Sequence, residues 1–173
     1  MTNKKNTDIF GTAFTDYLKG ETEHHITVHT DLAEDERLPV KYFFRKFSEL
    51  PDLEKKAIEL CRGKILDVGS GAGCHSLILQ DKGHDITSLD ISEGAINVQK
   101  QRGIKNVILN DFFALDTHKK YDTLLVLMDS IGLVQNFDGL VRFLSKAKEI
   151  LNHEGQIIIN STDLLYLYLD RDG

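Results

Sequence analysis

The stretch Ile65-Leu66-Asp67-Val68-Gly69-Ser70-Gly71-Ala72-Gly73 decides the fold. Residues 64–68 form a short, mostly apolar run with the character of a buried strand. The glycines behind it tolerate positive φ and let a ligand approach the backbone closely. Residues 74–82 follow as a helix that Gly83 ends, so the strand passes through a tight turn into a helix N-terminus whose free N–H groups point back at the turn. A dinucleotide loop has the spacing G-x-G-x-x-G. Counted from Gly69, that pattern puts Cys74 where the third glycine or alanine belongs, so it fails; the spacing present is G-x-G-x-G, with Asp67 two residues ahead. A carboxylate at that place repels a diphosphate and suits a ligand carrying positive charge.

The pattern continues outward in both directions. Upstream, residues 52–62 place Leu53, Ala57, Leu60 and Cys61 on one helical face, with Gly63 as the stop. Downstream, 85–90 is a strand with Ile86 and Leu89 inside, Ser92 caps a helix that runs to Arg102 and stops at Gly103, and 105–110 is a strand. Residues 121–128 are the most apolar strand, and 137–152 are the strongest helix, with Leu140, Phe143, Leu144, Ala147, Ile150 and Leu151 at helical spacing. Gly155 opens a last strand over 156–160. This alternation predicts an α/β fold: a doubly wound, mainly parallel sheet with helices on both faces. Ligands on such sheets sit beyond the carboxyl ends of the strands, where strand order reverses. Functional residues are therefore expected at 69–73, 90–91, 111–113 and 129–132.

The first fifty residues are different. They hold half of the aromatics (Phe10, Phe14, Tyr17, Tyr42, Phe43, Phe44, Phe47), the histidines His24, His25 and His29, and Pro39, while Pro51 ends the segment. We expect 1–50 to be an irregular, partly helical arm lying over the site, and 51–173 to be the core domain. The chain has 173 residues and a net charge of −6, which argues against a wide phosphate-gripping face and so against nucleic acid as a partner. The longest apolar runs, 124–128 and 164–169, fall far short of the ~18 residues of a membrane span. No secretory signal opens the chain. Cys61 and Cys74 have no metal-ligand spacing and suit buried positions in a protein of the reducing cytoplasm.

With these residues in place, Asp67-x-Gly69-x-Gly71-x-Gly73 after a strand resembles motif I of the Rossmann-like, class I S-adenosylmethionine-dependent methyltransferases. Asp90 ends the second strand about 20 residues past the loop, where such folds place an acid on ribose hydroxyls. Asn110-Asp111-Phe112 ends the third strand, and the family counterpart contacts adenine. The run from Phe143 to Gly155 resembles the leader into the fifth strand of the small-molecule methyltransferases. The resemblance covers residues 53–162. It implies S-adenosyl-L-methionine as cofactor, held by Asp67, Gly69, Gly71, Gly73, Asp90, Ile91, Asp111, Phe112 and Asp129, and a methyl transfer by in-line displacement to a small-molecule acceptor. The Asn/Asp-Pro-Pro-Tyr/Phe signature of methyltransferases acting on exocyclic or amide nitrogens is absent; Met128-Asp129-Ser130 stands there.

Asp129, His24 and His25 are the catalytic candidates, and no metal site is expected. Each of these residues also has a structural reading. Asp67 serves as a turn residue, Asp90 caps the next helix, Phe112 and Phe113 pack beneath the loop 114–120, and His75, His84, His118 and His153 lie on the surface. Tyr42, Phe43 and Arg45 either close over the cofactor or join the core. Family members continue past the fifth strand with a helix and an antiparallel strand pair. Those strands are missing here, so we expect a C-terminally truncated core whose fifth-strand edge invites oligomerisation. Two other functions share this architecture: a nicotinamide-dependent oxidoreductase and a non-catalytic adenosylmethionine-binding module.

Overall fold

A computed structural model describes residues 8–29, 34–116 and 118–162. Its centre is a five-stranded sheet built from β3 (Lys64–Val68), β4 (Asp85–Asp90), β5 (Val107–Leu109), β6 (Tyr121–Val126) and β7 (Leu151–Ile159). The strand order is β5-β4-β3-β6-β7, and every pairing is parallel. The chain winds outward from β3 to β5, crosses back to β6 on the other side of β3, and winds outward again. Strand order therefore reverses between β3 and β6, which opens a crevice beyond their carboxyl ends.

Strand pleating divides the core in two. Ile65 of β3 faces one side with Ile86, Leu125 and Leu127, under α2 (Asp52–Leu60) and α3 (Cys74–Asp81). Leu66 and Val68 face the other side with Leu89, Leu124 and Val126, under α5 (Phe137–Ile150). Helices on both faces explain why these strands carry near-continuous apolar runs. The fold class expected from the alternation is the one observed.

Several boundaries differ from expectation. The buried side of α2 is Glu54, Ala57, Ile58 and Cys61, whereas Leu53 and Leu60 are 65% and 51% exposed. Those four positions have helical spacing only if a glutamate is counted as an inward residue. Strand β6 stops at Val126 because Met128 and Asp129 take positive φ values of 54° and 55°. Helix α5 runs straight into β7, and the residues between the pairs Tyr121–Leu151 and Thr123–Gln156 bulge out of register, with the positive φ on Glu154 and not on Gly155. Strand β5 keeps only three residues.

The described part of the first fifty residues is more regular than its sequence suggests. It holds α1 (Ile9–Leu18), an antiparallel pair of β1 (His25–Val28) and β2 (Glu36–Pro39), and short 3₁₀ turns at Val40–Phe44 and Phe47–Glu49. Phe14, Val40 and Ile26 are buried there against Ala72 of the glycine turn and Ala95 and Val98 of α4 (Glu93–Gln101). No helix among the described residues is long and apolar enough to cross a membrane. Among them, β5 and β7 form the sheet edges. The expectation about strands beyond β7 falls on 163–173, outside the described residues.

Candidate functional site

A cavity of about 760 Å³ lies beyond the carboxyl ends of the strands. That is a size suited to a small-molecule ligand. Of the residues singled out in the sequence as cofactor-binding candidates, Gly69, Asp90, Ile91, Asp111 and Phe112 line it. Ser130, within the stretch 129–132, and Phe10 of the aromatic arm also line it, as does Arg142 of α5, which nothing in the sequence pattern singled out.

The glycine turn is held by polar groups from its neighbours. The N–H of Gly71 donates to Asp90 Oδ2 at 2.7 Å, and the N–H of Ser92 donates to Asp90 Oδ1 at 2.9 Å. A carboxylate has roughly four lone-pair sites, so Asp90 retains acceptor capacity toward the cavity. Burial is the main reason its acid lies above the usual aspartate value; the N–H groups of Ser92 and Gly71 pull the other way, and the charge of Asp8 adds to the rise. Beneath the turn, the amide of Gln99 donates to Gly71 O at 2.7 Å and to Ser70 Oγ at 2.9 Å, while Ser88 Oγ lies 2.7 Å from Gln99 Oε1. Arg102 Nη1 donates to Ala72 O at 2.6 Å. These anchors come from the buried side of α4 and β4, positions where polar residues interrupt the apolar pattern.

Two glycines are required for different reasons. Gly69 has φ 70°, and a Cβ there would lie 2.9 Å from Ser130 Oγ. Gly73 has φ 80°, and a Cβ there would run into the Ile104 side chain and come within 3.1 Å of Gln99 Cγ. Gly69 therefore lets the turn approach the cavity, and Gly73 lets α3 pack on α4.

Asp67 is placed differently from the reading that turned it toward a ligand. It sits on the same pleat face as Ile65, is only 2% exposed, and accepts from Ser76 Oγ of α3 at 2.7 Å. Burial pushes its acid above the usual range, against the pull of nearby His75 and the Ser76 hydroxyl. Gly71 and Gly73 likewise do not line the cavity. Asp129 does not line it either: its carboxylate accepts from Thr162 Oγ1 at 3.0 Å and approaches Asn160 Nδ2 at 3.5 Å. His24 and His25 border a separate depression of about 320 Å³ with Ile9, Thr12, Ala13 and Asp16. Phe112 lines the cavity while its ring stacks on Phe143 with centroids 4.8 Å apart.

His75 is buried, where a surface position was expected. It belongs to a charged cluster beneath the glycine turn. Glu54 of α2 accepts from Arg45 Nη2 at 3.0 and 2.9 Å, and His75 Nε2 lies 2.6 Å from Glu54 Oε2. A carboxylate only accepts, so the His75 N–H donates. Burial opposes charge on Glu54, but the contacts of His75 and Arg45 outweigh it and hold the acid below its usual value. Arg45 also stacks on Tyr42 at 3.5 Å, and its carbonyl accepts from Cys74 Sγ at 3.2 Å. Arg45 Nη1 is buried with no hydrogen-bond partner among the described residues. Both cysteines are buried, as expected; burial pushes the Cys61 thiol to about 12 and Cys74 to about 11, so neither is a ready thiolate.

A doubly wound parallel sheet with a cavity at its reversal, a glycine turn on one strand and an acid ending the next defines a Rossmann-like, nucleoside-binding domain. A family model for a methyltransferase domain matches residues 61–169, and the chain belongs to that family, within the class I S-adenosylmethionine-dependent methyltransferases. A solved S-adenosylmethionine-dependent methyltransferase from Bacteroides fragilis, in complex with S-adenosyl-L-homocysteine, is 34% identical; the match covers 95% of this chain and 69% of that one, with a TM-score of 0.88. A ubiquinone biosynthesis O-methyltransferase from Rickettsia conorii is 22% identical over 172 residues, 93% of this chain and 55% of that protein. A ribosomal RNA small subunit methyltransferase C from Aliivibrio fischeri is 25% identical over 151 residues, 83% of this chain and 44% of that protein. The chain thus spans about half the length of the curated relatives it matches.

Proposed function

We propose that this chain is an S-adenosylmethionine-dependent methyltransferase acting on a small-molecule acceptor. Asp90 carries the reading: it ends β4, lines the cavity beside Gly69, and keeps lone pairs free after binding two backbone N–H groups. Vicinal ribose hydroxyls are what such an acid recognises. Ile91, 75% exposed at the cavity, and Asp111 and Phe112 offer a purine an apolar face and a polar edge.

The chemistry supplied by the bound cofactor is an electrophilic methyl group on a sulfonium. The chain contributes placement: the glycine turn and Asp90 orient the nucleoside, and Phe10 shields the cavity from water. Good alignment alone is worth roughly 7–11 kcal/mol of barrier. His24 and His25 border another depression and Asp129 is engaged by Thr162, which favours an acceptor whose nucleophilic atom needs no deprotonation by these side chains. The acidic balance of the chain, −6, favours a small molecule over RNA as acceptor.

Calorimetry separates the readings. S-adenosylhomocysteine should bind in the micromolar range and NADH should not; the reverse would make this a dinucleotide site. With labelled S-adenosylmethionine, the methyl group should pass to a metabolite extract. Transfer to ribosomal RNA instead would overturn the small-molecule acceptor.

A further inference from the structure

We propose that Asp8 is the positioning residue that docks the N-terminal arm on the cofactor cavity, and that Ser92, shared by Asp8 and Asp90, couples this docking to cofactor binding. The proposal rests on the cofactor site described above. One carboxylate serves two helices. Asp8 Oδ1 accepts from the N–H of Gly11 at 2.9 Å, capping α1, and Oδ2 accepts from the N–H of Gly94 at 3.0 Å, in the first turn of α4. Ser92 Oγ lies 2.8 Å from both oxygens. The two helices touch at their glycines: a Cβ on Gly94 would lie 2.6 Å from Gly11 Cα, and a Cβ on Gly11 would lie 2.7 Å from Gly94 Cα. Burial opposes the charge on Asp8, yet the Gly94, Ser92 and Gly11 donors outweigh it and keep the acid below its usual value, so the contact favours the ionised form.

Docking has a consequence two residues further on. Phe10 lines the cavity, with its ring 5.8 Å from Phe43 and 5.9 Å from Phe14. Phe14 anchors the middle of α1 in the core, whereas Ile9 is 63% exposed. Asp8 is therefore what fixes the turn that carries Phe10. The N–H of Ser92 donates to Asp90 while its hydroxyl serves Asp8, so a ligand that immobilises Asp90 also steadies the arm, and the arm returns the same factor to the ligand.

The test is a double-mutant cycle read by titration of S-adenosylhomocysteine into the wild type, Asp8→Ala, Phe10→Ala and the double variant, with melting curves to confirm folding. Each single change should weaken binding about tenfold, the scale of a lost cap. The double variant should bind no more weakly than Phe10→Ala, because Asp8 acts through Phe10. Ligand-induced protection of the amides of residues 9–14 from hydrogen exchange should appear in the wild type and vanish in Asp8→Ala. If Asp8→Ala does not fold, Asp8→Asn, which keeps one acceptor oxygen, carries the same cycle. Unchanged affinity in the Asp8 variant, or losses that multiply, would overturn the coupling and leave the cofactor site standing. A wild type that fails to bind S-adenosylhomocysteine would overturn the site itself.

Discussion

The glycine turn has two faces, and they are built on opposite principles. The upper face, with Gly69, Asp90 and Ile91, is open to a cavity and leaves acceptor capacity unused. The lower face is closed. There Asp67 is spent on Ser76, and Glu54 is spent on Arg45 and His75, all of them buried. Acids of similar chemistry thus do different work within a few residues of each other. Those above are available to a ligand, and those below tie α2, α3 and the arm to the strand that carries the turn. Burial decides which role each takes, because a buried charge is tolerated only when paired and bonded.

The lower face should show the largest effect. Glu54→Ala leaves Arg45 and His75 buried without their carboxylate, and breaking a buried pair costs about 3–5 kcal/mol. For a domain of this size that lowers the melting temperature by roughly 10 °C. Urea or thermal melts at pH 7 read it directly. A change below 1 kcal/mol would mean that the cluster is not structural.

The upper face should respond in binding and hardly in stability. Asp90→Ala removes charge-assisted hydrogen bonds to a ribose, each worth about 1.5–3 kcal/mol, so affinity for S-adenosylhomocysteine should fall about a hundredfold. Gly71 and Ser92 are only partly buried, so their freed N–H groups gain water and the melting temperature should move by only a few degrees. If Asp90→Ala unfolds the protein as readily as Glu54→Ala, the two faces are not distinct.

The upper face was the more legible of the two in the sequence. Asp90, Ile91, Asp111 and Phe112 follow strands, and position after a strand is a property of the chain that alternation reveals. The parallel sheet was legible for the same reason. The lower face was hidden because its evidence lies in pairing across distant segments. Arg45, Glu54 and His75 come from a 3₁₀ junction and two helices, and a glutamate on an inward face reads as an error in the pattern until its partners are known. Asp67 was legible as a residue and misread in direction: the motif marks the position, but pleat parity with Ile65 sends the side chain beneath α3. The aromatic arm had no period to read, since Phe14, Tyr17, Phe43 and Phe44 meet through contacts between a helix and a 3₁₀ turn.

Asp67 provides the finest test, because the effect expected there is small and has a definite sign. Burial raises its folded pKa above the unfolded value of about 3.9, so the native state holds that proton more tightly than the unfolded chain does. Its contribution to stability is therefore fully present below the unfolded value and declines as pH rises through the raised folded value. Asparagine imitates the protonated acid and keeps an oxygen for Ser76. Asp67→Asn should then melt higher than the wild type at pH 7, and the difference should close as the pH is lowered through the folded value toward the unfolded one. Affinity for S-adenosylhomocysteine should stay within about threefold of wild type, since the side chain lies outside the cavity. If Asp67→Asn instead weakened binding as severely as Asp90→Ala, the acid would have to face the ligand after all, and the division between the two faces of the turn would dissolve.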